Sequence, residues 1–359
     1  MKALSIASGQ GDYGVSFVDS LESLSSELRS IESPLFAVDR NVFTLYEPAI
    51  RACVNSSPLA LIDPTEEEKT LDGVGRLTET MRRSGSNKRT TLVAIGGGIV
   101  QDIATFSAHI YFRGISWICV PTTLLSMSDS CIGAKCGINL GSLKNQLGVF
   151  HAPSRVLVHS GFLGTLADVD IRSGHGEILK LMLTGSEEGF ARLKCVVDAE
   201  GLNGATLNEL IVSSLEAKKA IIEVDEYERD RRRLLNYGHS FGHALEALTN
   251  YAVPHGLAVA WGIDLINFIS MRMGLMQEAA FEAVHEFVRA HLSFVLPHGI
   301  QSTELIAGVR SDKKAAGGRI NLVLSCGPGR LLIRETVIDA ELEAHVEEYV
   351  RGFNAFPCG

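Results

Sequence analysis

The sequence has neither paired cysteines nor a long uninterrupted apolar run. Its seven cysteines are scattered, odd in number and never spaced as CxxC, which disfavours a disulfide framework and is typical of reduced thiols in a cytoplasm. No stretch reaches the roughly 18 apolar residues of a membrane span, and the N-terminus, MKALSIASGQGDYG, lacks the apolar core of a signal peptide. We therefore expect a cytoplasmic protein with no membrane partner.

An excess of positive charge is also absent. The 33 lysines and arginines are outnumbered by 42 acidic residues, and the net charge of −9 argues against a nucleic-acid partner. A local group of lysines can nevertheless bind a small anion. With 359 residues, of which 46% are hydrophobic, the chain is long enough to form two domains.

In the first half of the chain, short apolar runs alternate with segments whose apolar residues recur at the period of a helix. From about residue 170 to 312, nearly all segments have this helical period. The predicted strands of the first half are 34–39, 59–63, 91–98, 116–121 and 155–159. Their alternation with helices indicates a mostly parallel sheet covered on both faces. A short strand (319–326) and a helix near 339–352 follow. The sequence predicts an α/β fold with a Rossmann-like parallel-sheet domain over residues 1–170 and a mainly α-helical domain over residues 171–359.

Three glycines, Gly96, Gly97 and Gly98, end one of these strands and precede a helix, in the pattern GGGxxxD. Backbone N–H groups at such a turn can receive a diphosphate, although the same pattern also forms an ordinary tight turn. Two other strand ends carry compatible groups. Asp39 is suited to a ribose hydroxyl, and VPTT (120–123) supplies two further hydroxyls. The three strand ends together favour a dinucleotide site.

The segment DSCIGAKCGINLGSLKN (129–145) places charged side chains among glycine and small apolar residues. Lysines in a loop usually lie at a solvated surface. Here Lys135, Lys144 and Asn145 lie in a composition that predicts a partly enclosed loop, which suits a phosphate or a carboxylate. Asp129 begins the segment and Arg113 precedes it. We interpret the segment as an anion site.

Histidine and glutamate at helical spacing form a candidate metal site. His239 and His243 are four residues apart, which places their rings on one helix face roughly 6 Å apart. Glu177 and Lys180, three apart, also share a face, and His255 begins a later helix. A glutamate with two histidines leaves open positions on a divalent ion. The histidine pair itself has three interpretations: two ligands of one metal, a ligand beside a proton-transfer base, or two packed core residues.

A charged segment leads into the histidine helix and contains Lys218, Glu228, Arg232 and Asn236. Arg232 and Asn236 are four residues apart and His239 follows three later, so we expect these three to continue one helical stripe. Arg232 would then share the face of the candidate metal ligand instead of a solvated face.

The motifs taken together resemble those of the 3-dehydroquinate synthase family, within the sugar phosphate cyclases. They run through nearly the whole chain in the same order: GGGxxxD, FRG, VPTTLL, DSxxGxKxGIN, KNxxG, SGxxEILK, DExE, LLNYGHSFGHALE, PHGxAV and SDKK. So many motifs in one order are highly specific for the superfamily.

The resemblance implies roles for individual residues. The implied NAD-binding residues are Asp39, Glu66, Lys69, Gly96, Gly97, Gly98, Asp102, Thr122, Thr123, Asp129, Lys144 and Thr165. The implied metal ligands, for zinc or cobalt, are Glu177, His239 and His255. The implied substrate contacts are Arg113, Lys135, Asn145, Lys180, Lys218, Arg232, Asn236 and Lys313. Glu228 and His243 match proposed proton acceptors, with Lys180 as a third catalytic residue. Arg113 matches an arginine that reaches the neighbouring subunit, which implies a homodimer.

The reaction implied by this resemblance converts 3-deoxy-D-arabino-heptulosonate 7-phosphate to 3-dehydroquinate and phosphate, a carbon–oxygen lyase step of aromatic amino-acid biosynthesis by the shikimate pathway. It combines transient NAD-dependent oxidation, phosphate elimination, re-reduction and an intramolecular aldol closure. Lys135, Asn145 and His243 would hold the phosphate, while Lys218 and Arg232 would hold the carboxylate.

Three alternatives remain. Other sugar phosphate cyclases act on sedoheptulose 7-phosphate or glucose 6-phosphate, which lack the carboxylate, and the presence of Arg232, Asn236 and His243 together with Lys218 favours dehydroquinate synthase. A metal-dependent polyol dehydrogenase of similar fold would need no carboxylate clamp and would release NADH. A non-enzymatic regulatory descendant is disfavoured by the intact metal ligands and Lys180.

Overall fold

The computed structural model describes residues 3–141, 143–295, 299–311, 315–316 and 319–355. Its contacts divide the chain into two units. The first comprises Met1–Ala167 and Lys219–Tyr227, and the second comprises Asp168–Lys218 and Glu228–Gly359. The predicted single boundary after residue 170 does not include this return of Lys219–Tyr227 to the first unit.

The first unit contains a β-sheet, and helices connect many of its strands in sequence. The strands of the unit are β1 (Ala3–Ile6), β2 (Tyr13–Phe17), β3 (Pro34–Asp39), β4 (Leu59–Ile62), β5 (Thr91–Gly96), β6 (Trp117–Pro121), β7 (Lys135–Leu140), β8 (Leu143–Phe150) and β9 (Arg155–Val158). Its helices are α1 (Leu21–Arg29), α2 (Arg40–Leu45), α3 (Glu47–Val54), α4 (Leu71–Arg83) and α5 (Gly98–Ile110).

The main sheet has the order β1-β2-β9-β6-β5-β3-β4, and every neighbouring pair is parallel except β1 with β2. The prediction of a Rossmann-like parallel sheet is therefore confirmed. Strands β3, β5 and β6 are buried over almost their whole length, which explains their continuous apolar sequences. From β3 the chain first adds β4 on one side of β3 and then β5 on the other side. The strand order therefore reverses between β3 and β5.

The glycine-rich segment 129–145 is not a loop, contrary to our prediction. A short π-helical turn covers Ser126–Ser130, and β7 and β8 then pair as an antiparallel hairpin. Cys136 and Ile138 alternate as buried residues of β7, and this period of two is the physical reason for the strand. The sequence did not predict this strand, because Gly137 lies between the two apolar residues and glycine is more typical of a loop.

The short return segment Lys219–Tyr227 is anchored within the first unit by its acidic side chains. Glu223 accepts a hydrogen bond from the backbone N–H of Ala7 at 2.7 Å. Glu226 accepts from Gly9 N–H at 2.9 Å and from the Ser8 hydroxyl at 2.5 Å. These bonds fix the segment to the chain that joins β1 to β2.

The second unit is mainly helical, as predicted. Its helices are α6 (Asp168–Gly185), α7 (Glu187–Glu200), α8 (Leu207–Ile222, whose last residues belong to the first unit), α9 (His239–Leu248), α10 (His255–Arg272), α11 (Glu278–His291), α12 (Ser302–Ser311) and α13 (Ala340–Ala355). Its strands β10 (Ala315–Ala316), β11 (Arg319–Ser325) and β12 (Leu331–Val337) form an antiparallel sheet. Helix α10 is buried on all sides and contacts α6, α9, α11 and α13. Among the helices described here, none is both long and apolar enough to cross a bilayer.

Helices α6 and α10 cross at a pair of glycines. A Cβ atom on Gly176 would overlap the backbone carbonyl of Gly256, and a Cβ atom on Gly256 would overlap the carbonyl of Ser173. The two backbones therefore touch directly, which only glycine permits. The next residue after Gly176 is Glu177 and the residue before Gly256 is His255, so this crossing brings two candidate ligands together.

Candidate metal and nucleotide sites

The chain turns sharply just before the first histidine of the candidate metal site. A 3-10 turn covers Arg231–Asn236 and ends there, and Gly238 has a φ of 76° before α9 begins at His239. The predicted continuous stripe of Arg232, Asn236 and His239 is therefore wrong, because the helix is interrupted by a left-handed residue. Arg232 is nonetheless buried rather than solvated.

Glu177, His239 and His255 converge in the second unit. The Oε1 atom of Glu177 lies 3.0 Å from His255 Nε2 and 3.8 Å from His239 Nε2. Ligands of a tetrahedral zinc with bonds of 2.0–2.1 Å are about 3.3 Å apart. The two distances from Glu177 Oε1 lie close to this spacing, so the carboxylate can share a divalent ion with either histidine.

Both histidines are oriented by hydrogen bonds at the opposite ring nitrogen. His255 Nδ1 lies 3.0 Å from Oε2 of the buried Glu246, and His239 Nδ1 lies 3.1 Å from the carbonyl of Tyr237. Each acceptor holds the proton on Nδ1 and leaves the lone pair on Nε2 for a metal. A carboxylate and a carbonyl behind the ligands are the usual supports of a metal site.

His243 lies beside this group. Its ring centroid is 5.2 Å from that of His239 and 5.8 Å from that of His255. One nitrogen from each of the three rings can be chosen so that all lie within 4.8 Å of one another. His243 is more exposed than the other two. The geometry thus places His243 within reach of the ion, and its role as base or ligand stays a prediction.

Lys180 adds a positive charge to the same group. Its Nζ lies 2.5 Å from Glu177 Oε2, as their spacing on α6 predicts. Burial would raise the pKa of Glu177, but the charge of Lys180 beside it holds the pKa of that carboxyl below its ordinary value. Glu177 is therefore an anionic donor.

Buried cations are confined to predicted site residues. Among the lysines and arginines whose side chains the structure describes, the buried ones are Lys69, Lys180, Lys218 and Arg232. Burying a charge is costly unless an anion compensates it. Three of the four lie in the second unit with the candidate metal ligands, and Lys180 is paired there with Glu177.

Glu228 and Asn236 are connected directly. Asn236 Nδ2 donates to Glu228 Oε1 at 2.7 Å. Glu228 has a φ of 57°, in the left-handed region that residues other than glycine rarely adopt. Strained backbone of this kind concentrates at functional sites. The bond holds the Glu228 carboxylate in one orientation.

The predicted dinucleotide residues of the first unit lie at one edge of the sheet. Asp39 and Gly96 are the last residues of the parallel neighbours β3 and β5, Gly97 and Gly98 follow β5, and Thr122 and Thr123 follow β6, which pairs with β5. Asp39 and Gly96 also flank the position where the strand order reverses, the place where open α/β sheets bind ligands. A Cβ on Gly97 would lie 2.9 Å from the Thr123 methyl, whereas the space beside Gly98 is open. Burial raises the pKa of Asp39, whose Oδ1 caps α2.

A polar network lies beside this edge. Lys69 Nζ is 3.1 Å from Asp102 Oδ2 and 2.8 Å from Asn145 Oδ1. Glu66 lies 3.7 Å from Lys69 Nζ and 3.5 Å from Lys144 Nζ. Burial would lower the pKa of Lys69, but the two carboxylates raise it. The structure thus brings five predicted residues into one network.

The other predicted residues are more dispersed. Asp129 is buried in the π-helical turn, and Lys135 is exposed at the start of β7. The Thr165 hydroxyl lies 2.9 Å from the Tyr46 hydroxyl. Arg113 is exposed and has a φ of 63°. Lys313 lies outside the described residues.

Sequence reasoning assigned no role to Glu246 or Asn139. Glu246 orients His255, and Asn139 donates to Glu66 at 2.7 Å and accepts from the Asn145 N–H at 2.9 Å. Glu246 is an acid in the otherwise apolar run ALEAL, which is a usable signal. Asn139 has no such signal, because asparagine at the end of a strand is common.

Two family models match this chain. The 3-dehydroquinate synthase N-terminal model matches residues 59–173, and the C-terminal model matches residues 174–315. The chain belongs to the 3-dehydroquinate synthase family. A 3-dehydroquinate synthase of Acidithiobacillus ferrooxidans is 34% identical over 318 residues, which cover 87% of each chain.

Two solved cyclases resemble this family member in structure. A 2-epi-5-epi-valiolone synthase from Streptomyces hygroscopicus subsp. jinggangensis, with NAD+ and Zn2+ bound, has a TM-score of 0.85 and 26% identity over 96% of this chain and 98% of that chain. A 2-deoxy-scyllo-inosose synthase, complexed with carbaglucose-6-phosphate, NAD+ and Co2+, has a TM-score of 0.84 and covers 97% of this chain and 100% of that one. Its identity of 24% supports the fold alone.

Proposed function

We propose that this chain is a 3-dehydroquinate synthase, which converts 3-deoxy-D-arabino-heptulosonate 7-phosphate to 3-dehydroquinate and phosphate. The observation that carries the proposal is the second unit's combination of an oriented Glu177–His239–His255 donor set with buried cations. Such a set suits a substrate with hydroxyls and two anionic groups. The 34% identity with an enzyme of this name supports the same reaction.

Glu177, His239 and His255 would hold a divalent metal, zinc or cobalt. When bound, the metal lowers the pKa of substrate hydroxyls and polarises the carbonyl. Glu246 and the Tyr237 carbonyl would hold a proton on Nδ1 of each histidine and leave Nε2 for the metal. Lys180 stabilises Glu177 as a carboxylate.

The first unit would hold NAD at the edge formed by Asp39, Gly96–Gly98 and Thr122–Thr123, with Glu66, Lys69, Asp102, Asp129, Lys144 and Thr165 around it. When bound, NAD accepts and returns a hydride, so that no second substrate is consumed. The open space beside Gly98 and the buried Asp39 carboxylate suit a diphosphate and a ribose, respectively. The Lys69 network fixes Asp102 and Asn145 nearby.

The substrate's anionic groups would pair with this chain's cations. Lys218 and Arg232, both buried, would bind the carboxylate, since a buried cation favours a desolvated anion. Lys135, Asn145 and His243 would bind the phosphate. Glu228, oriented by Asn236, would accept a proton at a carboxylate oxygen. Arg113 and Lys313 are the remaining proposed substrate contacts, and Lys180 would assist proton transfer.

A second candidate function is the cyclisation of another sugar phosphate. The 26% identity and near-complete coverage of the 2-epi-5-epi-valiolone synthase favour this candidate. Its substrate class has no carboxylate, so it offers no partner for Lys218 and Arg232 together. We therefore prefer the heptulosonate phosphate.

The deciding assay supplies each sugar phosphate separately with catalytic NAD and a divalent metal, and measures phosphate release and carbocycle formation. We expect turnover of the heptulosonate phosphate, without stoichiometric NADH. Turnover of sedoheptulose 7-phosphate or glucose 6-phosphate alone would establish the second function. Conversion of the added NAD to NADH without phosphate release would indicate a polyol dehydrogenase instead.

We further propose a cytoplasmic homodimer in which Arg113 enters the partner's site. The exposed, left-handed Arg113 and the free thiols of the described cysteines support these assignments. Mixing Arg113→Ala chains with His239→Ala chains tests whether Arg113 acts in the partner's site. Random exchange would restore about a quarter of the sites if Arg113 acts across the dimer. Absence of any recovery after verified subunit exchange contradicts it.

A further inference from the structure

A cavity of about 300 Å³ lies in the second unit, walled by α10, α11 and α13. The side chains that shape it are Trp261, Phe268, Phe281, His285, Tyr349 and Phe353. The donor residues Glu177, His239 and His255 are not among those that line it. A dry cavity of about 150 Å³ holds a benzene ring, so this space accommodates about two fused rings.

The walls of the cavity are largely aromatic. Trp261 and Tyr349 have ring centroids 5.7 Å apart, Phe268 and Phe281 are 5.8 Å apart, and both pairs meet edge to face. The cavity thus presents ring edges and ring faces side by side. A flat aromatic ligand can contact both in the geometry that aromatic pairs prefer.

One side of the cavity carries cationic groups. His285 and Arg289 are four residues apart on α11, and both line the cavity. Asp264 Oδ2 accepts from His285 Nδ1 at 2.7 Å and from the Tyr349 hydroxyl at 2.6 Å. Through this hydrogen bond the Asp264 carboxylate raises the pKa of His285 and so favours the imidazolium, whose Nε2–H is a donor. Glu348, at the rim, is paired with Arg272.

Two polar atoms in the wall lack hydrogen-bond partners among the described residues. They are Trp261 Nε1 and Asp264 Oδ1, one helical turn apart on α10, and both residues are 2% exposed. A buried polar group of this kind destabilises the folded state unless a polar atom completes its hydrogen bond. Two such atoms in one wall are unusual for a region that only packs. Both atoms would gain hydrogen bonds if a polar ligand atom or an ordered water entered the cavity.

We propose that this cavity binds a small aromatic carboxylate, with its rings between Trp261, Phe268 and Phe281 and its carboxylate at His285 and Arg289. The ring walls match the apolar body of such a ligand, and the two α11 side chains offer N–H donors to its carboxylate. The site is separate from the proposed cyclase chemistry and does not depend on it.

The test uses 2-naphthoate as probe and its neutral isostere 2-naphthamide as comparison, with binding to the full-length protein followed by calorimetry. We expect 2-naphthoate to bind at least about tenfold more tightly than the amide. His285→Gln should remove most of that preference while amide binding is retained. Equal affinity of the two probes for the native protein would overturn the proposal.

A second variant adds a side chain at a glycine of the cavity wall and leaves the aromatic and charged wall residues in place. Gly352 lies on α13 at the cavity, and a Cβ there would meet no atom within 4 Å. Gly352→Leu should keep the fold, since leucine favours helices, and should weaken 2-naphthoate binding more than about tenfold. Gly75→Leu, at an exposed position of α4, is the matched control and should leave binding unchanged. Undiminished binding in Gly352→Leu would contradict the site.

A carboxylate probe can also bind a metal. The titration is therefore repeated with chelator and with His239→Ala. We expect the same affinity in both. Loss of binding in these two samples, with Gly352→Leu unaffected, would assign the probe to the metal site and overturn the proposal.

Discussion

The backbones of Gly176 and Gly256 touch where α6 crosses α10. Neither position has room for a Cβ atom, because the carbonyls of Gly256 and Ser173 already fill that space. The candidate ligands Glu177 and His255 are the chain neighbours of these two glycines, and their donor atoms are 3.0 Å apart. The metal-donor spacing therefore depends on a contact between two backbones.

Gly176→Ala should disrupt this spacing. Because a carbonyl cannot move aside as a flexible side chain can, the helices must separate, and overpacking of this kind costs about 1–3 kcal/mol or more. We expect a lower melting temperature together with weaker zinc binding, measured by scanning calorimetry and metal titration. Gly75→Ala, in open space on α4, should instead stabilise by about 0.5–1 kcal/mol. Native metal affinity in Gly176→Ala would refute the dependence.

His239→Ala should abolish tight metal binding, whereas His243→Ala should retain the metal and slow turnover. His239 Nε2 lies near Glu177 Oε1 and its Nδ1 is already held by a carbonyl, so the ring is prepared as a ligand. Metal content after gel filtration and steady-state phosphate release measure the two effects. Equal loss of metal in both variants would show that all three histidines bind it.

Glu246→Gln should weaken metal binding by about 10–100-fold without unfolding the protein. Glutamine can still accept from His255 Nδ1, but it lacks the charge that makes the imidazole a stronger donor. A competition titration with a metal indicator measures the change. Glu216→Gln, an exposed change on α8, is the control. Unaltered affinity in Glu246→Gln would mean that Glu246 only packs.

Lys69→Met should destabilise the first unit by about 1–3 kcal/mol, because it leaves the largely buried Asp102 carboxylate without its cation. Burial raises the pKa of Asp102, and the charge of Lys69 opposes that rise. The double variant Lys69→Met/Asp102→Asn should be less destabilised than Lys69→Met, as measured by urea unfolding. Lys144→Met, at a more exposed pair, should cost less than about 1 kcal/mol. Strict additivity of the two changes would rule out the coupling.

His285 should stabilise the protein more in mild acid than in base. The hydrogen bond to Asp264 raises its folded-state pKa above the ordinary value of 6.5. The stabilisation is therefore complete below that value and is lost as pH rises through the raised folded pKa. Melting temperatures of the native protein and of His285→Gln should converge as the pH is raised from about 6 through the raised folded-state pKa.

His151→Gln is the control of opposite sign. Burial lowers the pKa of His151, so its neutral form is favoured in the folded state. The native protein therefore gains stability from this group as pH rises through the unfolded value, and the variant should lack that gain. Parallel pH profiles for both variants would contradict the two assignments.

The elements that the sequence predicts best are those whose signal is local. Continuous apolar runs predict β3, β5 and β6, and their carboxyl ends follow directly from the strand limits. Parallel pairing then places Asp39, Gly96 and Thr122 at one edge. The spacing of Glu177 and Lys180 likewise predicts their contact on α6.

The remaining features arise from contacts between distant segments. The residues around Arg232 are compatible with a continuous helix, so the sequence did not predict that Gly238 adopts a left-handed conformation. The support of His255 by Glu246 depends on how α9 meets α10, and the Gly176–Gly256 contact depends on a crossing of helices some eighty residues apart in sequence. Neither leaves a periodic pattern.

The return of Lys219–Tyr227 to the first unit means that the chain changes units three times. These changes fall after Ala167, after Lys218 and after Tyr227. A fragment ending at residue 167 would lack the glutamates that bind the β1–β2 connection. Neither unit can therefore be exchanged between related genes by a single recombination crossover, so a functional chimera needs matched exchange points on both sides of this nine-residue segment.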